Sequence, residues 1–226
     1  GIGFGKVVII KDQDRTIEKR IVENPEQEMA KFKQAFDQVK EETKEIVSKL
    51  SGTEQEIMQA YLMIMEDPTL ITETENAIQN LKYCAEYAVE VGFNSVIQIF
   101  ENIDDEYMAG RARDISDIKN RILSKLFNEE IIDISNLEKD TIIVSKELTT
   151  SDTAKLDFKN ISGIITEIGG TNSHTSIMAR THAIPAITRV EDATKVFRNG
   201  DYIAIDGMLG EIYHNPTEEE KQKLNK

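Results

Sequence analysis

The sequence predicts an α/β domain interrupted by an inserted all-helical bundle. Three observations carry this. Short β-branched runs stand at the start of the chain and again through its last third. The stretch between them repeats its apolar residues every three or four positions. That stretch also holds most of the charge: residues 25–130 contain 22 acidic and 11 basic residues, a net of −11, out of −14 for the whole chain. Boundaries at Asn24-Pro25 and at the polar turn Asn128–Ser135 give a discontinuous α/β domain over 1–24 and 136–226. The helical subdomain then spans 25–135.

Taken in order, Lys6–Ile10 is a strand, an apolar run too short for a helix. Met29, Phe32, Phe36, Val39, Thr43, Ile46 and Leu50 form the apolar stripe of a long amphipathic helix, which Ser51-Gly52 ends. A second helix starts near Thr53 with Ile57, Ala60, Tyr61 and Ile64 inward, and Asp67-Pro68 breaks it. Helical stretches follow at Ile71–Val91, Asn94–Phe100 and Asp105–Phe127. The bundle thus has four to six helices and no strand between 26 and 127. Beyond it, strands are expected at Thr141–Val144, Gly163–Thr166, Ile184–Ile187, Tyr202–Ile205 and Glu211–Tyr213. Short helices alternate with them at Thr149–Leu156 and His174–Thr181. The polar tail from Pro216 reads as a final helix.

Composition narrows the function. With 226 residues, 39% hydrophobic and 30% charged, the chain suits one or two globular domains. No apolar run approaches the ~18 residues of a membrane span. No signal peptide precedes the first strand, so no membrane partner is expected and the default compartment is cytoplasmic. The single Cys84 excludes an intrachain disulfide framework and a cysteine-pair zinc site. The acidic balance argues against nucleic acid, whose phosphates need a basic face. On the helical block the charge is either a solvated face or an attraction for a basic partner surface. The chain opens at Gly1 without an initiator Met, as a trimmed or processed piece would.

The densest polar cluster is Gly169-Gly170-Thr171-Asn172-Ser173-His174-Thr175-Ser176, between an apolar strand and a helix. The glycines permit a tight turn, and Thr171, Asn172 and Ser173 are all possible N-caps. His174 then sits in the first turn, where unpaired N–H groups favour an anion. Arg180 lies one to two turns on. A histidine there can accept a phosphoryl group, given a neutral outward nitrogen, a partner on the other nitrogen and donors for the phosphate oxygens. The same residues also serve a plain capped helix start. His182 reads as a cation at the helix C-terminus and His214 as an exposed turn residue. The three histidines make no metal site. Gly1-Ile2-Gly3-Phe4-Gly5 precedes a strand, so it is a weak nucleotide signal.

Residues 169–180, followed by Ile184-Pro185-Ala186-Ile187, resemble the active-histidine motif of enzyme I. That family is the phosphoenolpyruvate–protein phosphotransferase of the bacterial sugar phosphotransferase system. Gly1–Lys6, Glu66-Asp67-Pro68, Asp104–Met108, Leu148–Ala154 and Asn215-Pro216-Thr217 resemble its other signatures, so the likeness spans nearly the whole chain. The resemblance implies a swivelling phosphohistidine α/β domain carrying a four-helix-type subdomain with a kinked helix, which docks the carrier protein HPr. It implies phosphate on Nε2 of His174, with the Thr153 hydroxyl on the other ring nitrogen and Arg180 neutralising charge. Gly170, Ser173, Thr175 and Ser176 would stabilise the phosphate. Tyr61, Glu66, Asp67, Arg111, Arg113 and Ser116 would face the partner.

This chain also departs from the family pattern. The family's usual Gly-Gly-Arg-Thr-Ser-His has Thr171 in place of its arginine, which removes a positive charge. Tyr61 replaces a docking-helix histidine, Ser116 a docking arginine and Thr150 a proline. These changes leave room for an acceptor of the nitrogen-regulatory branch. The family binds phosphoenolpyruvate and Mg²⁺ on a C-terminal (β/α)₈ barrel, and such a barrel needs about 250 residues by itself. The expectation is therefore a chain with no cofactor of its own. It would be loaded by that further domain or by phosphorylated HPr, and incompetent with phosphoenolpyruvate alone. Competing readings are a non-catalytic docking module, the swivelling domain of a dikinase or synthase, and a hydrolase using Ser173 or Ser176 with His174. The long helical block disfavours the dikinase. Adjacent helix residues point apart, which disfavours the hydrolase.

Overall fold

A computed structural model describes residues 1–170 and 173–225. Strand β1 (Ile2–Ile10) leads to five helices: α1 (Pro25–Lys49), α2 (Gly52–Glu66), α3 (Thr69–Gln79), α4 (Ala85–Glu101) and α5 (Glu106–Leu126). Then follow β2 (Thr141–Ser145), α6 (Thr150–Lys155), β3 (Ile161–Thr166), α7 (His174–Thr181), β4 (Ala186–Ile187) and α8 (Ala193–Val196). Strands β5 (Tyr202–Asp206) and β6 (Glu211–His214) and helix α9 (Glu218–Leu224) close the described chain. These elements form two compact units, Gly1–Asp14 with Ile132–Lys226, and Arg15–Ile131.

The first unit is a six-stranded mixed sheet in the order β4-β3-β2-β1-β5-β6. Strand β1 has two roles. Its second half, Lys6–Ile10, runs parallel to β2, while its first half, Ile2–Lys6, runs antiparallel to β5. The glycine-rich start is therefore a strand and not a nucleotide loop. A Cβ on Gly3 would lie 1.9 Å from the Ser162 carbonyl oxygen, and one on Gly5 would lie 2.1 Å from that of Asp140. Only glycine lets the strands approach so closely. Val7, Ile9, Ile142, Val144, Ile203 and Ile205 pack one face with Phe197, and Ile143, Ile164, Leu148 and Ala179 the other. A sheet covered on both faces needs continuous apolar strands, which is why these runs do not alternate.

In the second unit, Phe32, Phe36, Val39 and Thr43 of α1 are buried as their spacing requires. Helix α2 buries Met58, Tyr61, Ile64 and Met65. Ile57 is only half-buried and Ala60 is exposed, so the inner face is turned by about one residue from the expected one. The break expected near Gly92 lies instead at 80–84, where Lys82 takes a left-handed φ of 58°. Gly92 stays helical because α4 presses on α3 there: a Cβ at Gly92 would meet Thr74 Oγ1 at 2.4 Å and its backbone N at 2.7 Å.

Residues 15–24 lie with the helices rather than with the sheet. Val22 N–H donates to Lys82 O and Cys84 N–H to Arg20 O, both at 2.8 Å, which straps the gap between α3 and α4. Glu28, 4% exposed, accepts the Ala85 N–H at 3.0 Å and pairs with Lys31 at 3.0 Å and Arg20 at 3.8 Å. Burial pushes its carboxyl up. The Ala85 N–H and the two cations outweigh that and hold it below the ordinary value. A depressed folded-state value means Glu28 stabilises above its unfolded pKa of about 4.3, and that share is lost as pH falls through the folded value. Glu28→Gln keeps the acceptor and loses the charge. Urea midpoints measured against pH should fall less steeply in the variant than in wild type below about pH 4.3.

Candidate functional site

The site is built at one end of α7, in the sheet unit. Strand β3 delivers the chain to Gly169, whose φ of +121° only glycine adopts without strain. Gly170 O accepts the Ser173 N–H at 3.0 Å and the Ser176 hydroxyl at 2.6 Å. Ser173 is the N-cap of α7: its Oγ accepts the Ser176 N–H at 3.2 Å and donates to Ser176 Oγ at 3.0 Å. His174 is therefore the first helical residue, half-buried, held by a small closed network of loop and cap. Thr171 and Asn172 lie outside the described residues, and with them two of the three expected caps and the position that lacks the usual arginine.

Helix α6 brings the second component. Thr149 and Asp152 make a reciprocal capping box, which fixes the first turn. Thr150 takes the first helical position, where a proline's missing N–H would cost nothing, so the exchange is locally neutral. Thr153, buried one turn on, places Oγ1 2.9 Å from Thr150 O and 2.8 Å from His174 Nε2. The expectation put this hydroxyl on the other ring nitrogen, whereas it is Nε2 that Thr153 holds. With the hydroxyl proton on Thr150 O, Nε2 carries hydrogen and donates. With the proton directed at the ring, the Nε2 lone pair is occupied.

Other expected residues are placed differently from one another. Ser173 and Ser176 direct their hydroxyl protons into the loop network, so in this arrangement those protons are not aimed at a phosphate. Neither serine is bonded to His174 in that network, which disfavours a serine hydrolase. Thr175 is buried. Arg180 is exposed in the last turn, about 9 Å along the axis from His174 at 1.5 Å per residue. It lines a shallow cavity of about 320 Å³ with Ser176, Ala186, Thr188 and Met208. His182 caps the C-terminus of α7, its ring stacked on Phe158 at 4.0 Å. His214 pairs with Asp201 at 3.5 Å. Among the described residues no three His, Cys, Asp or Glu side chains gather as a metal cage.

On the helical unit, Tyr61 corrects its expectation. It is 0% exposed and cannot touch a partner. Its hydroxyl donates to Asp117 Oδ2 at 3.0 Å and accepts from Arg121 at 3.0 Å, so the phenol ties α2 to α5 inside the bundle. Burial, then Asp117, pushes the phenol well up, against a smaller opposing pull from Arg121. Glu66 and Asp67 are exposed at the end of α2, with Asp67 accepting the Thr69 N–H at 3.0 Å. Arg113 is exposed on α5, Ser116 half-buried, and Arg111 half-buried against the Tyr107 ring. Sequence reasoning missed Arg121 and Asp117, whose pairing with Tyr61 is tertiary. It also missed Arg189, whose Nε donates to Gly169 O at 2.9 Å, because its backbone position leaves no sequence signal.

A histidine opening a helix behind a double-glycine loop, on a mixed sheet interrupted by a helical unit, is the arrangement of a class: the N-terminal and mobile domains of phosphoenolpyruvate-utilising enzymes. Two family models agree. The PEP-utilising enzyme N-terminal model matches residues 1–111, and the PEP-utilising enzyme mobile-domain model matches 137–210. A solution structure of an enzyme I protein is 33% identical, superposes with a TM-score of 0.87, and covers 100% of this chain and 93% of its own. The chain belongs to the enzyme I family. Phosphoenolpyruvate-protein phosphotransferases of Bacillus sp. (strain S) and Geobacillus stearothermophilus are each 35% identical over 223 residues, 97% of this chain. The chain spans 39% of the length of each. The N-terminal domain of a nitrogen-branch enzyme I, 21% identical with a TM-score of 0.64 over 100% of this chain and 94% of its own, shares the fold. Among the described residues no helix is long and apolar enough to cross a membrane.

Proposed function

We propose that the chain is a phosphoryl relay. His174 accepts a phosphoryl group that originates on phosphoenolpyruvate and exchanges it with a histidine of an HPr-type carrier, in a sugar phosphotransferase system. The observation that carries the reading is His174 at the start of α7 with Nε2 held by Thr153 at 2.8 Å. The activity for which its relatives are named, phosphoenolpyruvate-protein phosphotransfer, supports it. In the transfer, a lone pair of the His174 ring forms a new N–P bond as the donor's N–P bond breaks. The freed electron pair returns to the donor imidazole, and each ring keeps the hydrogen on its other nitrogen. Positioning and charge balance supply the rate. Phosphoenolpyruvate itself would be handled by a further domain of the full enzyme. The helical unit, expected over 25–135, would dock the carrier through its exposed acidic faces.

Attack through Nε2 requires the ring to leave Thr153, so Thr153 stores the ring in one orientation and tautomer between transfers. The test is label transfer from phosphorylated HPr to the chain, read as acid-labile phosphate. Thr153→Val should slow transfer on the order of 10-fold, because the ring then starts from several orientations and tautomers rather than the one Thr153 selects. Thr153→Ser should restore most of the rate. No label on wild type sinks the relay, and an unchanged rate in Thr153→Val removes Thr153 from it.

A further inference from the structure

We propose that Arg189 supplies the positive charge that balances the phosphoryl group on His174; this rests on His174 being the phosphoryl site. Arg189 follows β4, and its φ of 60° puts a non-glycine residue in the left-handed region. Such strain persists only where the surroundings enforce it, and it gathers at functional sites. What the position achieves is reach. The Arg189 Nε donates to Gly169 O at 2.9 Å, and Nη2 lies 3.4 Å from where a Cβ on Gly170 would be. Gly170 O is the same oxygen that holds Ser173 N–H and the Ser176 hydroxyl, and Ser173 caps the helix that opens with His174. The guanidinium therefore rests on the loop that leads directly into the acceptor.

Its bond to Gly169 uses one of five donors. Among the described residues Arg189 makes no ion pair and no other hydrogen bond, so its terminal nitrogens are available to phosphate oxygens in a fork geometry suited to them. Arg180, by contrast, sits at the far end of α7. The loop lacks the arginine that the family usually carries within it. A cation arriving from residue 189 restores positive charge to the same loop from a different part of the chain. A Cβ at Gly170 would lie 3.4 Å from Nη2, an ordinary contact distance, so the guanidinium and the Gly170 backbone are direct neighbours.

The experiment is phosphoryl exchange between phosphorylated HPr and the full chain carrying Arg189→Gly or Arg189→Lys. Glycine suits a φ of 60°, so Arg189→Gly should melt at or above the wild-type temperature. Its forward rate, and the equilibrium constant for forming phosphohistidine, should each fall on the order of ten-fold, as for one charge-assisted contact in a solvent-exposed setting. Arg189→Lys should lie between the two. Wild-type rate and equilibrium in Arg189→Gly would overturn the proposal. So would a loss in Arg189→Lys as large as in Arg189→Gly, because charge would then be irrelevant. Failure of the wild-type chain to take phosphate would instead overturn the reading of His174, which separates the two.

Discussion

Replacing His174 by alanine should abolish phosphoryl exchange with a phosphorylated carrier, by at least about a thousand-fold, while leaving the fold intact. The magnitude follows from the chemistry. Removing a covalent acceptor leaves no bond to form, and positioning groups alone do not substitute for a nucleophile. The intact fold follows from the structure. His174 is half-buried and holds the first position of α7, whose cap is Ser173 and whose loop is closed by Gly170 O. Alanine is a better helix former at that position. The substitution removes the hydrogen bond to Thr153, but the Thr153 hydroxyl keeps Thr150 O as a partner at 2.9 Å. A stopped-flow or filter assay of label transfer, paired with a melting curve, checks both halves. A variant that still carries label would move the chemistry to another residue.

Arg121→Met should cost the helical unit about 3–5 kcal/mol, because three acceptors inside the bundle lose their donor at about 1–3 kcal/mol each. Arg121 donates at 2.9 Å to Thr43, at 3.0 Å to Tyr61 and at 3.4 Å to Val39 O, with Glu42 at 3.7 Å. Its guanidinium joins α1, α2 and α5. Methionine leaves Asp117, 6% exposed, beside a phenol that no longer has its donor. Tyr61→Phe should cost less, about 1–3 kcal/mol, since it removes one hydroxyl and keeps the ring in place. Urea unfolding followed at the helical signal compares the two. Equal midpoints for wild type and Arg121→Met would show the network to be energetically idle. If both predictions hold, the bundle's polar core sets its packing while the chemistry resides wholly in the sheet unit.

Tyr61 also shows where sequence reasoning succeeded and where it failed. Helical spacing put it on the inner face of α2, and family resemblance put it on a docking surface; burial sides with the spacing. The long stripe of α1 was legible because one apolar face runs the length of a 25-residue helix. The strands β2, β3 and β5 were legible as β-branched runs. The first half of β1 was not, since Gly3 and Gly5 look like a loop until the Ser162 and Asp140 carbonyls are seen against them. The gap at 80–84 depends on a strap from residues 20–22 and carries no local breaker. In the site, His174 and Ser173 were readable because the glycine loop and the helix cap are local motifs, whereas Thr153 came only from the family resemblance. The ring nitrogen that Thr153 meets, and the guanidinium of Arg189 on Gly169, depend on how distant segments pack. Spacing cannot supply that.

The relay stands or falls on where phosphate settles. The chain is incubated with phosphorylated HPr, digested under alkaline conditions that spare phosphohistidine, and mapped by mass spectrometry with ³¹P NMR of the intact protein. The account predicts one phosphoimidazole, on His174, that acid removes. Phosphate on any other residue, or none on the wild-type chain, would contradict it.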